Sequence, residues 1–184
     1  MKPVFVAKRR FAPSAGERWA RYIAWSGLSQ LRELVSLDEI LCPTVPETLT
    51  SADWSYNVHA DYQTFYFSSL QYLLARVTGE ADLNILAILQ NPSFADLSGV
   101  LPGFSFAGFD LLDICGDVSA LTNCGGFPQV FSNTELSELG LLQDLERAYE
   151  VQRALRVVYP DEAHAQCHVW AIWRLANSAG AIGG

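Results

Sequence analysis

No stretch of this chain offers the roughly 20 clean apolar residues that a bilayer crossing needs. The uncharged stretch from Leu97 to Phe109 is interrupted by Gly99, Pro102, Gly103 and Gly108. After Met1 and Lys2 the apolar run Pro3 to Ala7 is too short for a signal-peptide core. These absences predict no membrane association and a cytoplasmic location. Phosphate-binding glycine patterns are also missing: neither G-x-G-x-x-G nor the P-loop signature occurs, and no cofactor is expected.

Positive charge is scarce. Twelve Lys and Arg face twenty Asp and Glu, for a net charge of −8 at pH 7. An acidic field repels phosphate backbones, which argues against nucleic acid as a partner. The same field speeds encounter with a partner that carries a basic surface. Lys8-Arg9-Arg10 is the only dense basic run, and it reads as a solvated strand end.

Cysteine is sparse and scattered: Cys42, Cys115, Cys124 and Cys167, with no Cys-x-x-Cys. Four cysteines allow three full pairings. A domain of this size does not need staples, so free thiols in a reducing cytosol are expected. Histidine is scarcer still, with three in 184 residues. Two of them fall in "HAQCH", His164 and His168 around Cys167. On a strand those histidines lie about 13 Å apart at roughly 3.3 Å per residue, while Zn–N bonds span only about 2.0–2.1 Å. No metal site is predicted.

What is abundant is apolar and aromatic material, 50% and 12% of the chain. A chain of this length buries roughly 70% of its unfolded surface. One domain is predicted over residues 1–176, followed by a small, glycine-rich flexible tail over 177–184.

Along the chain, "PVFVAKRRF" reads as a β-branched first strand. Ser14 with Glu17 forms a capping-box pattern for a helix that Gly27 stops. The segment 28–43 fits helical and alternating periods equally, and Pro43 and Pro46 end it. Asn57 to Val77 carries a wide apolar stripe, Tyr62, Phe65, Tyr66, Leu70, Leu73, Leu74 and Val77, and predicts the longest helix. "LNILAILQ" is apolar on both faces, as a central strand is. "FSFAGFDLLDI" alternates, with Gly108 as a bulge, and "GDVSALTNCGG" reads as its return strand.

Ser132 with Glu135 starts a short helix. "LLQDLERAYEVQRALRVVYP" is a second strong helical pattern, ending before Pro160. "AHAQCHVWAIWRLA" is a last strand, with Val169, Ala171 and Trp173 on one face and Trp170 and Ile172 on the other. The interleaving with a hairpin in the middle predicts an α+β domain, one sheet of four to five strands with helices packed on it. A mixed α/β arrangement is the alternative.

Two readings of function follow. The first is a non-enzymatic, acidic, cytosolic domain that binds another macromolecule, similar in composition alone to small acidic inhibitors and immunity-type proteins. Its contact residues are Trp54 and Tyr56, aromatics in the polar stretch "TSADWSYN", where loop aromatics act as interface anchors.

The second is a thiol-dependent hydrolase or transferase. Cys124 sits on the flexible turn Asn123-Cys124-Gly125-Gly126, with His164 or His168 as base and Asp113 or Asp161 as the orienting carboxylate. Asp110 and Asp113 fall on opposite faces by alternation, which argues against a paired-carboxylate site. His59 and Asp61 begin the predicted helix, where the helix dipole accounts for the acid. A small-molecule pocket between the sheet and the 57–77 helix is a third idea.

Overall fold

The computed structural model describes residues 2–58, 65–99, 101–123 and 126–176. The strands are β1 (Val4–Arg9), β2 (Thr44–Val45), β3 (Leu83–Gln90), β4 (Phe104–Leu112) and β5 (His168–Leu175). The helices are α1 (Glu17–Ser26), α2 (Leu70–Arg76), α3 (Phe94–Leu97) and α4 (Leu145–Val158). One five-stranded sheet in the order β2-β1-β3-β5-β4 holds them together. Every neighbouring pair is antiparallel, which makes the fold α+β rather than mixed α/β. Among the described residues no helix is long and apolar enough to cross a membrane.

The central strand is β3, and its sequence explains its place. Leu83 to Leu89 are all buried, because both faces of the strand are covered. On one face Ala87 and Leu89 join Val169, Ala171 and Trp173 of β5 and Phe109 and Leu111 of β4. Helix α4 lies in this cluster with Leu145, Ala148, Val151 and Leu155 turned inward, at i, i+3, i+6 and i+10. Each of its larger apolar side chains contributes roughly 1.5–3 kcal/mol by burial. The helix starts because Asp144 accepts a hydrogen bond from Arg147 N.

Among the described residues, no helix covers the opposite face. Val6, Leu86, Ile88, Trp170 and Ile172 lie under Val35, Leu37 and Leu141. The segment 28–43 is therefore neither helix nor strand. It is an irregular strap whose amides pair with several places at once: Leu34 N with Phe11 O, Arg32 N with Glu138 O and Val35 N with Leu139 O. Glu33 pins it to the sheet by accepting Arg10, Asn84 and Arg174.

Gly108 marks the bulge in β4, where the register with β5 shifts. Its φ is +140°, and a Cβ there would lie 2.6 Å from Leu142 O. Only glycine lets the 141–143 segment run this close to the strand. Phe109 and Leu142 then exchange both backbone hydrogen bonds.

Several local expectations are corrected. Gly16, not Ser14, precedes α1: Pro13–Ala15 form a 3-10 turn, and Gly16 at φ +61° breaks it from the helix. Gly27 does end α1 in the left-handed conformation. Of the helix predicted over 57–77, the described residues form α2 alone, capped by Ser69, whose hydroxyl accepts from Tyr72 N. Before it, Phe67 exchanges backbone hydrogen bonds with Phe5, because an aromatic run beside an open strand edge gains more from pairing than from a helical turn. His59, Asp61 and Tyr62 lie outside the described residues. Where the suggested pocket would lie, the described residues Phe67, Leu73 and Val77 pack against Ala7, Val45 and Ile85.

The return strand after β4 is reduced to one bridge, Leu112 to Ser119. The chain reverses where expected, with Gly116 N bonded to Asp113 O, and then leaves the sheet.

Candidate functional site

Trp54 and Tyr56 stand on the short loop that precedes α2. The loop is built around one carboxylate. Asp53 is fully buried and accepts from Thr50 N, Thr50 Oγ1, Tyr72 Oη at 2.7 Å and Arg76 Nε at 2.9 Å. Tyr72 and Arg76 are one turn apart on α2, so the helix delivers both to the same acid. Burial pushes the Asp53 carboxyl up, but the bonds from Arg76, Thr50 and Tyr72 outweigh it and hold the group well below the usual carboxylate range. Asp53 O also accepts the amides of Tyr56 and Asn57, which closes a 3-10 turn over Asp53–Ser55.

This turn fixes the aromatics while leaving them outside. Trp54 is 56% exposed, and Val58 is 46% exposed. Tyr56 stacks on Tyr72 with ring centroids 3.9 Å apart and planes 15° from parallel. Beyond Tyr56 the chain pairs with the Phe67 segment through Val58 N to Tyr66 O and Ser68 N to Tyr56 O. An exposed aromatic pair is therefore held by a buried ionic anchor and by the edge of the sheet.

The residues of the thiol reading are placed differently. Cys124 and Gly125 lie outside the described residues. The segment leading to them is fixed by two buried acids. Asp110 accepts from Ser36 Oγ and Ser119 Oγ, both at 2.6 Å, and from the amides of Leu37 and Leu111. Asp38 accepts from the amides of Ile40, Leu41 and Ser119 and from Asn123 Nδ2. Tyr22 donates its hydroxyl to Thr122 O.

His164 stands in a 3-10 turn with its ring edge-on to Phe127, 5.6 Å away. Its Nε2 is buried without a hydrogen-bond partner, and burial pushes the imidazole pKa down. His168 begins β5 and its Nδ1 meets Asn91 Nδ2 at 3.2 Å. The two histidines thus face different neighbours. Asp113 accepts the amides of Asp117 and Val118 and serves the turn after β4, while Asp161 is exposed on the link between α4 and β5. Burial raises the thiols of Cys42 and Cys167 to about 12, so neither is a nucleophile at neutral pH; Cys115 is exposed. Among the described residues no group of three His, Cys, Asp or Glu is arranged to hold a metal ion.

Sequence reasoning singled out Trp54 and Tyr56 but not Asp53, Tyr72 and Arg76, which hold their loop. Thr50 three residues before Asp53 was the one local signal, a hydroxyl and an acid spaced to bond each other within a turn. No protein-family model, curated protein or solved structure matches the chain.

Proposed function

We propose that this chain is a non-catalytic, acidic, cytosolic binding domain that docks another macromolecule through Trp54 and Tyr56. The observation that carries the reading is the buried Asp53 anchor beneath two exposed aromatics. Fixing exposed rings in advance lowers the entropy lost on association. A net charge of −8 favours a partner with a basic surface. Free thiols at Cys42, Cys115 and Cys167 suit a reducing compartment.

The test is capture of partners by the tagged wild-type chain beside Trp54→Ala and Tyr56→Ala. The expected outcome is a partner whose affinity falls at least about tenfold in either variant. A partner retained equally by all three chains, or none captured by the wild type, rejects the reading.

The thiol reading is supported by a different observation, the unpartnered buried Nε2 of His164. It requires Cys124 to react with iodoacetamide at neutral pH at least about tenfold faster than the exposed Cys115. Equal or slower labelling of Cys124 removes it.

A further inference from the structure

Among the described residues, Tyr56 is the outer end of an aromatic stack. One face of its ring rests on Tyr72 at 3.9 Å, and the residue is still 39% exposed. Tyr72 donates its hydroxyl proton to Asp53, and donation to a carboxylate polarises the phenol and enriches the electron density of its ring. Trp54, on the same turn, adds a second exposed ring. The cation beside the stack, Arg76, is already neutralised by Asp53 and held by Thr48 O. Ring faces of this kind attract cations, and the overall charge of −8 repels anions. Between the two biological cations, a guanidinium is planar and weakly hydrated and lies flat on a ring, whereas an ammonium stays in water.

We infer that the contact made at this surface is an arginine-bearing protein segment, with its guanidinium flat on the open face of Tyr56 and Trp54 alongside. The inference rests on the binding reading above and specifies its partner chemistry.

The probe is the peptide acetyl-Arg-Gly-Arg-amide beside its citrulline counterpart, which keeps the shape and loses the charge. Both are titrated into the full chain at one ionic strength, and the Trp54 indole N–H and Tyr56 amide resonances are followed by NMR. The expected result is movement of both resonances, with the arginine peptide at least about threefold tighter than the citrulline peptide. Tyr56→Leu abolishes that preference. Trp54→Leu, altered at an exposed position, weakens binding of the arginine peptide without shifting the unfolding midpoint.

Equal affinity for the two peptides overturns the inference, as does movement of resonances elsewhere while Trp54 and Tyr56 stay still. If capture of a partner still depends on Trp54 while arginine and citrulline bind alike, the binding reading stands and this chemistry alone is wrong.

Discussion

Asp53 and Asp110 are both fully buried carboxylates, and each accepts from four donor groups. They differ in what supplies the donors. Asp53 has a guanidinium, that of Arg76, and its pKa is lowered overall. Asp110 has hydroxyls and amides, with Asp38 close enough to repel it, and burial wins: its pKa is raised. The two acids shift in opposite directions because Asp53 lies near the surface with a guanidinium among its donors, whereas Asp110 lies deep, with neutral donors and Asp38 nearby. The two acids also do different work. Asp110 and Asp38 bind the strap and the Ser119–Asn123 segment to the end of β4. Asp53 holds a loop whose aromatics stay in solvent.

Removing each anchor separates the two roles. Asp110→Ala leaves Ser36, Ser119, Leu37 N and Leu111 N without an acceptor in the interior, and a loss of about 3–5 kcal/mol is expected in urea unfolding. Asp53→Ala strands Tyr72, Thr50 and Arg76 nearer the surface, where Arg76 keeps some water. About 2–3 kcal/mol is expected there. Amide exchange is to accelerate at Tyr56, Asn57 and Ser68, while β3 amides keep their protection. If Asp53→Ala loosens β3 as much as the loop, the anchor is architectural and the contrast fails.

The pH dependence of the two acids runs in opposite directions. A lowered native pKa contributes stability that is complete above the unfolded carboxylate value, about 4, and fades as pH falls further through the native value. The advantage of wild type over Asp53→Asn is therefore expected to shrink in strong acid. A raised native pKa means that the folded chain binds the proton more readily than the unfolded one. The Asp110 contribution accordingly improves as pH falls from neutral through the raised value towards about 4. Unfolding free energies measured across the acid range, with effects on the order of 1 kcal/mol, check both signs. Parallel curves for Asp53→Asn and Asp110→Asn would contradict the opposite signs.

The regular half of this comparison was legible in the sequence and the irregular half was not. The run Leu83 to Gln90, the facing of Val169, Ala171 and Trp173 against Trp170 and Ile172, the Gly108 bulge and the Ser132–Glu135 box are periodicities or pairs within a few residues, and all four are found. The strap fits two periods because it obeys neither: its side chains follow the donors and clefts of a sheet face made by distant strands. Asp38 meets Ser119 across 81 positions, and Asp53 meets Arg76 across 23. No local pattern records such partners. Trp54 stood out only because a large ring in a polar stretch is conspicuous. That it rests on an ionic anchor came from the fold.

The smallest stability effect is the most direct test of whether Trp54 belongs to recognition. Trp54→Ala, measured for unfolding free energy and for affinity to a captured partner on the same preparation, is expected to change stability by less than about 0.5 kcal/mol, as exposed positions do, and to weaken binding at least about tenfold. A loss of about 2 kcal/mol or more in stability with affinity intact would assign the indole to packing and contradict the account.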